Sequence, residues 1–99
     1  MHIIARRRLR QFAEIHVSAK KPLDIWYHVV KRARYHSTHD VKADWGNAVD
    51  FLSDNRVVFD IGGNKYRLVV TIRYEWQKVF IRHIVTHTAY DRLSQAALL

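Results

Sequence analysis

At Asn55 the spacing of apolar side chains switches from about 3.6 residues to 2, which fixes the order in which the layers are built. Upstream, His2–Ile4 has room only for a short strand. From Ala5 the positions Leu9, Phe12 and Ala13 follow an i, i+3, i+4 spacing, which predicts a helix to about Val17. Leu23, Trp26, Tyr27 and Val30 form a second stripe and predict a helix from about Ala19 to Arg34, with Pro22 tolerated in its first turn. Two helices joined this closely pack as an antiparallel pair. Tyr35–Asp54 is polar and irregular, with a short helix expected over His39–Trp45 behind a Ser37-x-x-Asp40 capping box. Downstream, Arg56–Ile61 reads as a strand, Gly62-Gly63-Asn64 as its turn and Lys65–Tyr74 as a second strand. There Tyr66, Leu68, Val70 and Ile72 face one way, and Lys65, Arg67, Val69, Thr71 and Arg73 the other. Val79–Val85 is a third run whose alternation is less clean. The expected architecture is α+β in two layers, an antiparallel sheet with the N-terminal helix pair packed on one face. A single domain spans residues 1–99 and ends in a helical turn or two over Tyr90–Leu99.

Composition narrows the functional classes. The 99 residues are 48% hydrophobic and 12% aromatic, enough for one core and too much for a disordered tail. With 17 Lys and Arg against 9 Asp and Glu, the formal charge is +8, a field suited to nucleic acid, anionic lipid or an acidic protein. The absence of cysteine excludes a disulfide framework, thiolate metal sites and a thiol nucleophile. No apolar run approaches the ~18 residues of a membrane span. Arg6-Arg7-Arg8 also arrives before any signal-peptide stretch develops, so a cytoplasmic protein without a membrane partner is expected.

The residues able to do chemistry gather late in the chain. Lys65 and Arg67 are two apart on a strand, while His87, Tyr90 and Asp91 follow the end of the last one, where side chains fold back over the sheet. Cations beside a His and a Tyr suit a phosphodiester: the cations neutralise the phosphate, and His and Tyr are candidates for moving protons. Ribonuclease-type transesterification needs no more than this, and it spares DNA, which lacks the 2′-hydroxyl. The same residue types also fit cations on a solvated sheet face with a His and Tyr packed at a strand end.

The opening Met-His-Ile-Ile-Ala-Arg-Arg-Arg-Leu, the run from Asn55 through Gly62-Gly63-Asn64-Lys65-Tyr66-Arg67-Leu68 to Val70, and Ile81-Arg82 followed by Thr86-His87-x-x-Tyr90-Asp91 together resemble the HigB family of toxins, within the RelE-like superfamily of bacterial type II toxin–antitoxin systems. The resemblance covers nearly the whole chain. It implies a RelE-like fold and an mRNA endoribonuclease that enters the ribosomal A site, cuts translated message without metal or other cofactor and halts growth. It also implies a HigA-like helix-turn-helix antitoxin, through which alone the toxin would reach operator DNA. By the same analogy Arg67 lies over the scissile phosphate, Lys65 assists it and Arg82 makes a second phosphate contact. His87 and Tyr90 take the acid and base positions, with the split between them open. The competing reading is a non-catalytic basic nucleic-acid-binding or co-repressor module, which needs no His or Tyr at the strand exit.

Other features are weighed against plainer roles. Arg6, Arg7, Arg8 and Arg10 form a cationic helix face that, with Arg73, is expected to contact ribosomal RNA phosphates, the plainer role being a solvated surface. His36-x-x-His39 with Asp40, and His83 with His87, invite a metal, but their spacing does not suit one and no metal is expected. Most aromatics belong to the periodic core; Tyr74 and Trp76 are the best candidates for exposure. Leu93, Ala96, Ala97, Leu98 and Leu99 form an apolar end that either docks on the domain or meets an antitoxin element.

Overall fold

A computed structural model describes residues 1–97 and 99, and the chain follows the expected order with one strand added. Strand β1 (His2–Ile4) leads into helix α1 (Arg7–Ile15), a 3₁₀ turn over Val17–Ala19 and helix α2 (Lys20–Arg32). Helix α3 (Thr38–Trp45) and a 3₁₀ turn over Gly46–Ala48 precede strands β2 (Val49–Phe51), β3 (Arg56–Ile61), β4 (Tyr66–Arg73) and β5 (Lys78–Thr86). Helix α4 (His87–Gln95) closes the chain, beginning three residues before the expected Tyr90. Leu98, part of the apolar end, lies outside the described residues.

Each helix starts and stops for a local reason. Pro22 stands at the third residue of α2, where a backbone N–H has no partner within the helix in any case. Lys31 and Arg32 place positive charge on the last carbonyls of α2, and Ala33 then turns extended. The Ser37 side chain makes no cap hydrogen bond. Instead the Asp40 carboxylate reaches back past the N-cap and accepts from the His36 backbone N–H at 2.9 Å, so the expected capping box does not form and a neighbouring contact takes its place. Thr86 does cap α4, its hydroxyl oxygen accepting from the Ala89 N–H at 3.2 Å.

The sheet order is β1-β5-β4-β3-β2. The three long strands form the expected antiparallel meander. The additions are at the edges: β1 joins β5 in parallel, Ile3 beside Val79, and β2 extends the other side antiparallel to β3. Tyr66, Leu68, Val70 and Ile72 face the helices, forming a core with Leu9, Leu23, Trp26, Val30, Val41 and Phe59. Arg67 and Val69 point to the second face, opposite Asp60 and Val58 on β3. On β5, Val69 pairs with His83 but Val70 with Ile81, so Arg82 is an extra, bulged residue. The bulge exchanges the faces of β5. Val79 and Ile81 join the core before it and Ile84 after it, while His83 and Val85 turn to the Arg67 face. That is why Val79–Val85 alternates poorly in sequence.

Candidate active site

The turn between β3 and β4 and the exit of β5 meet at one end of the sheet. Gly62 and Gly63 take φ of +64° and +69°, a left-handed conformation that glycine adopts without a Cβ clash, and the turn delivers Asn64 and Lys65 to the start of β4. The His87 backbone N–H then donates to the Lys65 carbonyl at 2.9 Å, locking the first residue of α4 against that turn.

Arg67 is at the centre and is only 8% exposed. Its Nε lies 3.2 Å from Asp60 Oδ1, the residue directly across the β3–β4 ladder. Nη1 donates to the Tyr66 carbonyl at 3.1 Å, and Nη2 contacts both Asn64 Oδ1 and His87 Nδ1 at 2.9 Å. His87 Nε2 in turn lies 3.4 Å from Asp91 Oδ2, one helical turn further on. Arg67 and His87, expected to share a hollow, are in direct contact. Tyr90 completes the group. Burial raises the pKa of its hydroxyl; Asp50, Asp91 and Asp60 push the same way, and Arg67 pulls it back. Like any phenol, Tyr90 is a neutral O–H at physiological pH, and the upward shift keeps it so. An arginine held among acceptors, next to a neutral phenol and an imidazole, can neutralise an anion and supply a proton to it.

The other expected residues sit further out. Lys65 belongs to the turn rather than the strand, exposed, with only its carbonyl engaged at the cluster. Arg82 is exposed on the bulge, three residues before Val85, the residue paired with Arg67. That is about 10 Å along a strand between the backbones, and the Arg82 side chain is not among the groups that contact Arg67. Two of the four arginines at and just before the start of α1 serve the protein itself. Arg6 stacks over the Tyr27 ring at 3.7 Å and lies 4.0 Å from Asp24, while Arg8 donates to the Ile81 carbonyl at 2.9 Å. Arg7 and Arg10 are exposed. Arg73 lies 3.9 Å from Glu75 and near the face of the Trp76 ring. A cleft of about 570 Å³ between α1 and α2 includes Arg6, Arg10 and Tyr27, but it is on the helical side of the sheet, away from Arg67. Among the described residues no three His, Cys, Asp or Glu gather as a metal would require, and no helix is long and apolar enough to cross a membrane.

Asp60 and Asn64 were not singled out from the sequence. The only signal for them is register: once the β3–β4 hairpin is closed by its Gly-Gly turn, Asp60 stands opposite Arg67 as an oppositely charged cross-strand pair.

His83, on the same face, has its pKa lowered, first by burial and then by Arg8, Arg82 and Arg56. A native pKa below the unfolded one adds stability that is complete above about pH 6.5 and is lost as the pH falls through the native value. The urea midpoint therefore falls between about pH 7 and pH 5, and His83→Gln, which cannot charge, flattens that decline. Urea titrations at several pH values check this; an unchanged acid limb in the variant contradicts it.

Comparison with known proteins gives a consistent family. A family model for HigB toxin, the RelE-like toxic component of a toxin–antitoxin system, matches residues 19–93. A protein named mRNA interferase toxin HigB in Escherichia coli is 30% identical over 92 residues, covering 92% of this chain and 88% of its own length. The mRNA interferase HigB of Shigella flexneri shows the same figures. A further mRNA interferase HigB, from another Escherichia coli strain, is 27% identical over 96 residues, 96% of this chain and 93% of its own.

Proposed function

Because the chain belongs to the HigB toxin family, the RelE-like toxic components of toxin–antitoxin systems, we propose that it is an endoribonuclease that cleaves messenger RNA. The observation that carries this reading is the contact of Arg67 with His87, with the Tyr90 phenol close enough to feel the Arg67 charge. In the proposed reaction the 2′-hydroxyl gives its proton to solvent water and attacks the adjacent phosphorus. The bond from phosphorus to the 5′-oxygen breaks, and Tyr90 gives its proton to that departing oxygen, leaving a cyclic phosphate and a free 5′-hydroxyl. Arg67 neutralises the charge that builds on the phosphoryl oxygens. Lys65 and Arg82, exposed on either side, contact neighbouring phosphates of the same strand, and Arg7, Arg10 and Arg73 reach ribosomal RNA. None of these steps requires a metal.

The +8 charge supports action on message held in the ribosomal A site, where phosphates surround the enzyme. A HigA-like helix-turn-helix antitoxin is the proposed partner: it silences the nuclease in the bacterial cytoplasm and carries it to operator DNA. Expression without that partner arrests growth and leaves new 5′ ends inside reading frames, which primer extension detects. Tyr90→Phe, which removes only the donated proton, lowers cleavage about 10²-fold. Full toxicity in that variant removes Tyr90 from the reaction.

The second reading is a non-catalytic basic nucleic-acid-binding or co-repressor module, in which the Arg67 cluster is structural and the exposed Arg7 and Arg10 carry the binding. Arg67, Arg6 and Arg8 all spend hydrogen bonds or ion pairs on the protein itself. On that reading expression yields no new message ends, and Tyr90→Phe changes nothing.

A further inference from the structure

The hydrogen bonds around Arg67 fix where the proton on the neighbouring imidazole resides. A guanidinium only donates, since it has no lone pair to offer. The 2.9 Å contact between Arg67 Nη2 and His87 Nδ1 therefore requires Nδ1 to be the unprotonated, accepting nitrogen. The ring proton then belongs on Nε2, the nitrogen that lies 3.4 Å from Asp91 Oδ2. A carboxylate on that side suits a protonated Nε2. A ring held this way has no free lone pair: one nitrogen is engaged by Arg67 and the other carries hydrogen. It is not set to take a proton from a 2′-hydroxyl.

We infer that His87 is a positioning residue, one wall of a clamp that holds the Arg67 guanidinium at a fixed place and angle, with proton transfer left to other groups. The inference rests on the reading above, in which Arg67 acts on a phosphate. The remaining walls are Asp60 at Nε, the Asn64 side-chain carbonyl at Nη2 and the Tyr66 carbonyl at Nη1. Of the five guanidinium hydrogens, one goes to Asp60, one to Tyr66, and one each to Asn64 and His87, so a single Nη1 hydrogen is left for an incoming oxygen. A planar group gripped along three edges cannot swing, and it delivers that hydrogen to one point in space. The two sequence segments most typical of this chain thus form one device. The Gly62–Arg67 turn supplies Asn64 and the Lys65 carbonyl, and the Thr86–Asp91 exit supplies the ring and its orienting carboxylate.

Isosteric substitutions separate positioning from proton transfer. The amide oxygen of asparagine stands near the place of Nδ1 and can accept from Arg67, whereas the longer glutamine puts its amide near Nε2. His87→Asn is expected to cleave within about tenfold of the native chain, and His87→Gln and His87→Ala to fall by about 10²-fold, the scale of a misplaced reacting group. Equal losses in all three variants, or the reverse order of Asn and Gln, overturn the inference in favour of a ring that moves protons; equal activity in all three overturns it as well. Nitrogen-15 spectra of the purified native chain test the same point without any nuclease assay. The expected spectrum has an unprotonated Nδ1 and a protonated Nε2, and a ring protonated at Nδ1 overturns the positioning role. Arg67→Ala run beside them keeps the two readings apart: if it remains fully toxic, the nuclease site is misassigned, whatever the tautomer.

Discussion

Arg67→Ala abolishes growth arrest and lowers message cleavage by about 10³–10⁵-fold, the range seen when an arginine that stabilises a phosphoryl transition state is removed. The effect is this large because no other cation replaces it. Lys65 is out in the turn and Arg82 is on the bulge, both exposed, while the Asp60 carboxylate pairs with Arg67 and the Asp91 carboxylate lies beside His87. Without the guanidinium, a phosphate would face those carboxylates directly. Arg67→Lys recovers little, since an ammonium is a point charge that cannot bond Asp60, the Tyr66 carbonyl, Asn64 and His87 at once. The loss must be shown to be chemical. Asp60 keeps partial solvent access, so its unpaired carboxylate can rehydrate, and the double variant Arg67→Ala, Asp60→Asn removes the leftover charge altogether. Circular dichroism and melting of both variants, next to cleavage of ribosome-bound message, complete the measurement. Native-level cleavage by a folded Arg67→Ala protein contradicts the assigned site.

The elements that were legible in the sequence are those long enough to show a period of their own. The α1 and α2 stripes and the Tyr66, Leu68, Val70, Ile72 face follow from periodicity alone, because each element buries one side against whatever is there. Strand β2 was not legible. Val49-Asp50-Phe51 is too short to show a period and is extended only because β3 offers it an edge, with Val49 opposite Phe59. The parallel seat of β1 beside β5 is likewise a property of two segments more than 70 residues apart in sequence, His2 meeting Lys78. The bulge at Arg82 left a trace, the imperfect alternation of Val79–Val85, but the residue responsible emerges only from the register against β4.

The site divides in the same way. Residue types and spacing marked Arg67, His87, Tyr90 and Asp91, and the fold brings them together through the Lys65 carbonyl and the Thr86 cap. What sequence reasoning could not supply is competition for each cation. Lys65 and Arg67 are two apart, yet the left-handed turn ends between them, so one is solvated and the other buried. Arg6 and Arg8 looked like free surface charge, but Tyr27 and Asp24 on α2 engage the first and the Ile81 carbonyl the second. Cation counts give the field around a chain; which cations stay free for a ligand is decided by contacts across the fold.

Trp26→Ala is expected to be the most damaging single change to stability, at about 3–5 kcal/mol. Trp26 is fully buried in the middle of α2 and meets the Phe59 ring edge-on at 5.5 Å, joining the helix layer to the centre of the sheet. For a domain of this size that loss lowers the melting temperature by roughly 12–40 °C, enough to leave much of the chain unfolded at growth temperature. Trp26→Phe is expected to cost less than about 1.5 kcal/mol. The indole N–H of Trp26 has no hydrogen-bond partner among the described residues, so replacing it with an apolar ring leaves no buried donor behind and offsets part of the lost packing. Thermal melts of the two variants test this; a similar loss in both would mean that the N–H has a partner, such as a buried water, that the phenyl ring forfeits. The pair also supplies the control for Arg67. Trp26→Ala relieves toxicity by emptying the folded population and Arg67→Ala by disabling a folded protein, so a melting curve separates two variants that look alike in a growth assay.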